Sequence, residues 1–455
     1  MNNMGNFDVI IIGAGPAGLF TAHYLLNHSN AHVLLLEKGY DTNSRGCIQN
    51  CSNCIVHDKC SVLCGVGGAG LFSDGKLVLD LNAGGHLDSV STISNREKQA
   101  LSAQIEKTLR KYDGKSEDGP SFNQEKSLDF IQRFNSCGFD IKYYGVTHIG
   151  TDNLKRIIFN FIADLKRHSN FHLLTGTQVI NIERTGKKTI VLTNKGESFS
   201  TDFLVFAVGK TGSSWMQDLF DRYQIEHQQT QTYIGIRLET KQEYLQELFT
   251  YSFDPKIWTH INGHKVKTHC FCRHGDIICT NYLGVPIVGG HTKATNRNMP
   301  LEQVSERSSF NILVSINNST DEIKRVLDRF GEKKRTGLSK QTLGEFMGEC
   351  SSSSDSFRGI LNDLGRSGDC IAVFISALNQ VVPGVSSPQN TVYAPALEWF
   401  MDSVQVDQNM ETSQNRWYAI GDGAGLSQGI MHSAATGVIA AKDICSRLNC
   451  GYATA

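Results

Sequence analysis

The segment Phe7–Leu19, FDVIIIGAGPAGL, decides the fold of this chain. Its apolar run predicts a buried strand over Phe7–Ile12, and the periodic apolar residues that follow predict a helix over Pro16–Asn27. The turn between them holds three glycines in the pattern G-x-G-x-x-G: Gly13, Gly15 and Gly18. In such a unit the first glycine allows the tight turn, the second lets a pyrophosphate approach the backbone, and the third lets the helix pack on the strand.

A second apolar run, Val33–Leu36, is typical of a strand that is buried on both faces of a parallel sheet. Glu37 ends this run, at the offset where a carboxylate accepts hydrogen bonds from the ribose of a bound dinucleotide. Strand, turn, helix, second strand and acid together predict a Rossmann-type dinucleotide site.

A second glycine-rich segment near the other end of the chain, Gly421–Gly425 (GDGAG), lies between a predicted strand and a predicted helix. Asp422 can reach the ribityl or pyrophosphate region of a flavin nucleotide. The N-terminus of the helix that begins at Gly429 can face the electron-rich edge of the flavin ring. The pairing of this segment with the N-terminal turn favours FAD over NAD.

Several motifs resemble those of known flavoproteins: Asp8–Gly18 with Glu37, Phe206–Gly209, Tyr418–Gly425, Gly65–Leu77 (GVGGAGLFSDGKL), Cys270–Cys272 and Gly421–Gly437. Together they are similar to the glutathione-reductase-like FAD/NAD(P)-binding flavoprotein superfamily, and within it to a family of FAD-dependent dehydrogenase-like proteins. That family tends to follow its Cys-x-Cys with Pro-Gly, whereas this chain has Arg273-His274. Because of this departure, no substrate is carried over from the family.

The resemblance implies that FAD is bound by Gly13, Gly15, Gly18, Glu37 and Asp422, with Val179 beside the adenine. The further positions expected to contact the cofactor are Pro16, Ala17, Lys38, Gly68, Ser73, Gly209, Gly429 and Ile430. The G-x-G-x-x-G at Gly65–Gly70 follows no clear strand, so we interpret it as a loop near the flavin ring. The sequence therefore gives no support for NAD(P)H as the reductant.

The predicted architecture is α/β, with a Rossmann-type FAD-binding domain made of a parallel sheet and a β-meander, and an inserted α+β substrate domain. The FAD-binding domain is expected to be discontinuous, comprising residues 1–79, 145–214 and 386–455. A helical segment after the Cys-rich loop is expected over residues 80–144, and the inserted domain over residues 215–385, including a strand over Cys270–Thr280.

Composition limits the classes of protein to consider. The 455 residues contain 44 Lys plus Arg against 45 Asp plus Glu, a formal charge of -1. This balance argues against a nucleic-acid scaffold or a membrane-surface protein, which usually have a basic excess. With no secretory signal and no stretch of bilayer length, the sequence predicts a cytoplasmic protein.

The function these features predict is that of an FAD-dependent oxidoreductase acting on an unidentified small molecule, with a redox partner protein as a further expectation. Two alternatives stay open, a non-enzymatic binding protein on the same fold and a flavin–iron–sulfur electron-transfer protein. The catalytic candidates are Lys76, next to the expected flavin loop, and His432, on the last helix. His274 and His291 are weaker candidates because a histidine without a partner in view is more often structural.

Five of the thirteen cysteines fall in one short segment: Cys47, Cys51, Cys54, Cys60 and Cys64. An iron–sulfur cluster, zinc, a redox dithiol and free thiols are all open interpretations. Our choice of metal ligands is Cys51, Cys54, Cys60 and Cys64, because Cys47 is the outlying member. Cys270, Cys272 and Cys279 lie on predicted strands, where buried structural cysteines are expected.

If the cysteine segment holds a metal centre, fresh anaerobic protein should contain stoichiometric zinc, or iron with acid-labile sulfide. The reason is that a loop with little apolar content needs ligation to become ordered. Metal and sulfide analysis of the purified protein checks this. Substoichiometric metal, together with titration of all these thiols in the native protein, would leave the free-thiol interpretation standing.

Overall fold

The computed structural model of the protein describes residues 5–46, 60–85, 87, 92–112, 117–118, 124–282, 284–293, 305–332, 338–348, 356–398 and 402–452. Two large sheets dominate this part of the chain, each with its own apolar core. The chain is a mixed α/β protein whose first domain has the Rossmann-type arrangement predicted from the sequence.

The first sheet has seven strands and is built around Gly5–Ile12. That strand pairs in parallel with Val33–Leu36 on one side and Ser198–Phe206 on the other. Six strands follow one another across the sheet in this order: Phe171–Leu174, Val33–Leu36, Gly5–Ile12, Ser198–Phe206, Lys188–Thr193 and Val179–Thr185. The last three strands are the predicted β-meander and pair antiparallel.

The seventh strand joins the two ends of the chain. Trp417–Ala419 pairs in parallel with Ser198–Phe206, with Leu204 opposite Trp417. Since Ser198–Phe206 also pairs with Gly5–Ile12, the segments after Ile12, Phe206 and Ala419 all leave the sheet at its carboxyl edge. This edge is where ligands bind in open α/β sheets.

Five helices of the described chain share the core of the first domain: Pro16–His28, Asn95–Arg110, Thr151–Leu165, Ser213–Arg222 and Ile430–Tyr452. The first and last of these pack closely against each other. Thr21 Oγ1 donates to the carbonyl oxygen of Gly437 at 3.2 Å. A Cβ at Gly437 would lie 2.3 Å from the carbonyl oxygen of Ala17, so only glycine allows the two backbones to approach so closely.

The second large sheet is antiparallel. Its strands follow one another in this order: Ser339–Thr342, Thr391–Glu398, Thr232–Lys241, Arg307–Ile316, His264–Cys272, Lys256–Ile261 and Asp140–Lys142. Ile234, Ile236 and Leu238 alternate on one face and join the core formed with the helix Ser367–Leu378. The other face carries a small apolar cluster around Leu313 and Ala396 and, beside it, the polar side chains of Lys267, His269 and Glu398 that line the cavity described below.

The remaining elements are short or cover the second core. The other strands are Lys76–Val78, Glu117–Asp118 and Val146–His148 in one small sheet, and His227–Gln229 with Asp402–Val404 and Asp276–Tyr282 with Val285–His291 in two ribbons. The other helices are Gln124–Ser136, Gln246–Tyr251, Thr320–Glu332, Leu343–Met347 and Phe357–Asn362. Short 3₁₀ turns cover Thr42–Ser44, Ala69–Phe72, Lys210–Gly212, Gln242–Leu245 and Asp422–Ala424. Within the described residues, no helix combines the length and apolar character that crossing a membrane requires.

The structure differs from the sequence expectation at the domain boundaries. The strand Thr391–Glu398 belongs to the second sheet, although the predicted segment 386–455 places it in the FAD-binding domain. The segment 80–144 is divided. Its helix Asn95–Arg110 joins the first core, while Gln124–Ser136 and Asp140–Lys142 join the second domain.

The predicted strand over Cys270–Thr280 is wrong, because the chain turns within it. Its residues belong to two strands, His264–Cys272 and Asp276–Tyr282. His274 lies in the intervening turn, where its φ is positive at 50°.

The close approach of the first and last helices gives a stability prediction. We expect Gly437→Ala to lower the free energy of unfolding by about 1–3 kcal/mol, because the added methyl group overpacks the contact with Ala17. Gly331→Ala is the matched control, since this helical glycine has open space around its Cβ position. The control should be neutral or stabilising by up to about 1 kcal/mol. Urea unfolding followed by circular dichroism measures both, and equal stability of the two variants would contradict the packing argument.

Candidate functional site

A cavity of about 800 Å³ lies between the carboxyl edge of the first sheet and the polar face of the second. It collects these residues predicted to contact the cofactor: Gly13, Gly15, Pro16, Ala17, Glu37, Lys38, Gly68, Ser73, Val179, Gly209, Asp422, Gly429 and Ile430. Segments from both ends of the chain and from its middle therefore meet on one cavity. Gly18 lies behind this lining, where the helix packs on the turn.

The three glycines of the N-terminal turn have different physical roles. Gly13 has a φ of +109°, and a Cβ there would lie 2.2 Å from the carbonyl oxygen of Ala207. A Cβ at Gly18 would lie 2.0 Å from the carbonyl oxygen of Gly13. Gly15 has an ordinary φ of -77°, and the nearest atom to its Cβ position is Gly68 Cα at 3.8 Å. The fold thus requires Gly13 and Gly18, whereas Gly15 leaves space within the cavity.

Glu37 uses its buried carboxylate to organise the loops around the turn. Its Oε2 accepts the backbone N–H of Ala14 at 2.9 Å. Its Oε1 accepts the N–H groups of Gly39 at 2.8 Å and of Gly65 at 3.0 Å. A carboxylate has about four lone-pair positions, so one position remains for a partner on the cavity side. These three backbone bonds were not part of the sequence expectation.

Asp422 is oriented by two serines on its own side of the cavity. Its Oδ1 accepts Ser427 Oγ at 2.8 Å and Ser433 Oγ at 2.7 Å. The backbone N–H of Gly421 donates to Thr436 Oγ1 at 3.0 Å, which fixes the turn that carries the acid. Sequence reasoning missed both serines. Ser427 lies two residues after the glycine-rich segment and Ser433 lies in the first turn of the helix Ile430–Tyr452, and this proximity in sequence is the signal that could have identified them.

Arg45 is a second residue that sequence reasoning missed. Its guanidinium is buried and donates to five backbone carbonyls, those of Ser61, Val62, Gly65, Val66 and Gly68, at 2.6–3.3 Å. Burial lowers the pKa of Arg45 to about 10, against the opposing effect of Glu37. One side chain therefore holds the glycine-rich loop 61–68 in place beside the cavity.

Lys76 lies where the two domains meet, and it lines the cavity. Its Nζ is 2.9 Å from Asp74 Oδ2 and 3.7 Å from Asp254 Oδ1, and it donates to the carbonyl oxygen of Phe271. Burial alone would lower the pKa of Lys76, but Asp254 and Asp74 outweigh it and raise the pKa well above its usual range. Lys76 is therefore a fixed cation at neutral pH and has no lone pair to act as a base.

None of the predicted histidines is among the residues that line the cavity, although His432 lies directly behind Gly85, which does line it. His432 is buried with Nε2 3.2 Å from the carbonyl oxygen of Leu81, and burial lowers its pKa. His274 contacts the carbonyl oxygen of Ser305 through Nδ1 at 2.6 Å. His291 Nε2 is 3.5 Å from Asp276 Oδ2. A catalytic role for His432 stays a prediction.

The cysteine segment is only partly described. Cys51 and Cys54, two of the four predicted metal ligands, lie outside the described residues. Cys60 and Cys64 are unbridged, and Cys64 lines the cavity with Sγ 3.4 Å from Thr211 Oγ1. The metal centre stays a prediction, and Arg45 supplies the ordering of loop 61–68 that motivated part of it.

Comparison with known families agrees with the fold of the first domain. The family model described as an NAD(P)-binding Rossmann-like domain matches residues 11–53. The matched segment contains the glycine turn, the helix Pro16–His28, the strand Val33–Leu36 and Glu37. No curated protein matches the chain.

Solved structures similar to this chain include a flavoprotein/dehydrogenase and two oxidases. A flavoprotein/dehydrogenase from Cytophaga hutchinsonii is 12% identical, with a TM-score of 0.41 over 98% of this chain and 79% of that one. Glycine oxidase from Geobacillus kaustophilus is 13% identical, with a TM-score of 0.40 over 98% and 95%. Dithionite-reduced L-α-glycerophosphate oxidase from Mycoplasma pneumoniae, with FAD bound, is 12% identical, with a TM-score of 0.45 over 97% and 95%. Likeness this distant carries no inference about substrate or chemistry.

The contacts of Glu37 predict a structural role that is separable from ligand binding. In Glu37→Gln, one oxygen becomes an NH₂ group that faces a backbone N–H donor, either that of Ala14 or those of Gly39 and Gly65. We expect the free energy of unfolding of protein without added cofactor to fall by about 1.5–3 kcal/mol. Glu197→Gln, at an exposed position of the same domain, is the control and should stay within about 0.5 kcal/mol of wild type. If urea titration finds both variants equally stable, the hydrogen bonds from backbone N–H groups to Glu37 contribute nothing to the free energy of unfolding.

Proposed function

We propose that this protein is an FAD-dependent oxidoreductase that acts on a small molecule in the cavity between its two domains. The observation that carries the proposal is the space at Gly15. Neither backbone conformation nor packing requires glycine there, so the absent side chain is explained by a ligand that approaches the turn. When bound, FAD would supply hydride or electron transfer to and from the substrate.

The surrounding groups fit a dinucleotide with a pyrophosphate. The helices Pro16–His28 and Ile430–Tyr452 both contribute their N-terminal residues to the lining. Unpaired N–H groups and the helix dipole make such ends favourable for phosphate. Glu37 would hold the adenosine ribose, and Asp422 would meet the ribityl or pyrophosphate region.

The cavity continues beyond these groups to the second sheet, which supports a place for substrate. Its lining there includes Tyr233, Trp258, Lys267 and Glu398. Lys267 Nζ lies 2.8 Å from Glu398 Oε2 and 3.8 Å from the centre of the Tyr233 ring. Polar groups that converge on an enclosed, partly aromatic space are typical of small-molecule sites.

Within this proposal, the role of Lys76 is electrostatic. Its ammonium group, held by Asp74 and Asp254, would stabilise negative charge that develops on substrate or cofactor. A proton acceptor would have to come from elsewhere in the cavity or from the substrate itself.

The purified protein should be yellow and release FAD on denaturation, and Gly15→Ala should weaken FAD binding at least about tenfold, or about 1.4 kcal/mol. The added methyl group occupies cavity space without touching the fold, so thermal stability of the cofactor-free protein should stay near that of wild type. Flavin absorbance after gel filtration and titration with FAD measure binding. Gly46→Ala is the control, because Gly46 is exposed and has open space at its Cβ position.

Two results would contradict the proposal. A wild-type preparation that is colourless and takes up no added FAD would exclude the flavin. A Gly15→Ala protein that binds FAD as tightly as wild type would show that the cofactor does not approach this turn.

A further inference from the structure

Two cysteines lie together where the strand His264–Cys272 ends beside the cavity. The Sγ atoms of Cys270 and Cys272 are 3.9 Å apart. Cys270 lines the same cavity as the glycine turn, whereas Cys272 is fully buried behind it. The sequence expectation of buried structural cysteines does not explain this close approach.

A backbone irregularity brings the two thiols together. In a flat strand, side chains two residues apart stand roughly 6.5–7 Å apart, whereas a disulfide needs Cβ atoms about 3.5–4.5 Å apart. Here the pairing with Arg307–Ile316 shifts by one residue between His269 and Cys272, which is a β-bulge. Cys270 itself has a positive φ of 55°, which is uncommon for a residue with a side chain. Bulges of this kind re-aim side chains next to active sites.

The residue between the cysteines is held firmly, which preserves the bulge. Phe271 is buried and stacks on Phe310 with ring centres 4.5 Å apart. Its N–H donates to Asp254 Oδ1 at 2.9 Å, and its carbonyl oxygen accepts from Lys76. Three contacts of Phe271 therefore hold the bulge in place. The bulge in turn keeps the sulfur atoms of Cys270 and Cys272 close together.

The two thiols have different surroundings. Cys272 Sγ lies 3.6 Å from Asp74 Oδ2 and 3.9 Å from Cys270 Sγ, and its single hydrogen can be donated to only one of them at a time. Arg237 donates to the carbonyl oxygen of Cys270 at 3.3 Å. The hydrogen bond from Cys272 lowers the pKa of Cys270 to about 6 against the effect of burial, and Lys76 adds to the lowering. The pKa of Cys272 is raised by the hydrogen bond with Cys270 and by burial. Cys270 is thus the more acidic of the two thiols, and it is the one that lines the cavity.

We propose that Cys270 and Cys272 form a redox pair that closes to a disulfide and exchanges two electrons with the flavin in the shared cavity. The inference rests on the proposed FAD site. In the reductive direction, the S–S bond breaks and takes up two electrons and two protons from reduced flavin, which leaves two thiols and oxidised flavin. In the opposite direction, the two thiols lose the same electrons and protons to oxidised flavin, and the S–S bond forms.

A metal centre is the competing use of this cluster, because Asp74, Cys270 and Cys272 place three ligand atoms within 4.8 Å of one another. The position of Lys76 argues against it. Its ammonium group lies 2.9 Å from the Asp74 oxygen that a metal would need, and two positive charges so close in a buried site repel strongly. Within the described chain, this cluster also provides no fourth protein ligand, whereas a closed structural zinc site uses four.

The sequence offers a direct chemical readout. Cleavage after Lys267 and Arg273 by trypsin releases Thr268–Arg273 (THCFCR), which contains both cysteines and no other. We expect air-equilibrated native protein, blocked with an alkylating reagent, to yield this peptide unalkylated and two hydrogens lighter than its dithiol form. After treatment with a thiol reductant, the same peptide should carry two alkyl groups.

A second readout counts electrons. Anaerobic dithionite titration of oxidised wild-type protein should consume twice as many electrons per FAD as titration of Cys270→Ser or Cys272→Ser. Cys279→Ser is the matched control, a buried cysteine on the neighbouring strand Asp276–Tyr282, and should behave as wild type. Retained FAD absorbance in each serine variant verifies that it has folded.

The outcomes separate this inference from the proposed function. Protein that binds FAD, takes up only two electrons per flavin and keeps both cysteines alkylatable after oxidation would overturn the redox pair and leave the flavin assignment standing. Stoichiometric zinc or iron lost in Cys270→Ser would overturn it in favour of a metal site. Protein that contains no FAD but still forms the disulfide would overturn both the flavin assignment and the electron exchange. Only the disulfide itself would then remain supported.

Discussion

The pairing of one strand, Ser198–Phe206, with both ends of the chain is the constraint on which the rest of the structure depends. It lies between Gly5–Ile12 and Trp417–Ala419, and all three run in the same direction. Parallel strands end at one edge, so the turns that follow them must meet there. The glycine turn at Gly13 and the acid at Asp422 are about four hundred residues apart in sequence, yet they line the same cavity because of this pairing.

The same edge also explains why glycines are concentrated there. A Cβ at Gly423 would lie 2.7 Å from the carbonyl oxygen of Gly209, and one at Gly13 would lie 2.2 Å from that of Ala207. The segments after Ile12, Phe206 and Ala419 leave the sheet side by side. Their backbones come into direct contact there, which leaves no room for a Cβ atom at these glycines. Glu37 and Arg45 hold the loops that flank this edge by their backbone groups. Backbone groups thus form much of this end of the cavity.

How much of this could be predicted from the sequence depended on the range of the interactions involved. The strand Val33–Leu36 has the bounds expected from its apolar pattern, and the helix Pro16–His28 extends one residue beyond the expected end, because burial on a sheet imposes a strict local period. No periodic pattern in the sequence predicts the hydrogen bonds of Arg45 or the close approach of Cys270 to Cys272. The Arg45 bonds reach carbonyl groups up to 23 residues away. The approach of the two cysteines depends on the positive φ of Cys270. Thr391–Glu398 was assigned to the wrong sheet because an apolar strand carries no mark of the partner it will pair with.

The buried charges between the domains suggest why this junction has not been replaced by apolar packing. Asp74 and Asp254 face Lys76, and Asp254 also accepts Lys256 Nζ at 2.8 Å, so two acids balance two ammonium groups. Such a network costs desolvation free energy, and apolar residues of the same volume often stabilise a protein more. Apolar residues could not, however, hold Phe271 at both its N–H and its carbonyl oxygen. The network therefore fixes the bulge that presents Cys270 to the cavity, and its stability cost is understandable if that geometry serves the chemistry of the site.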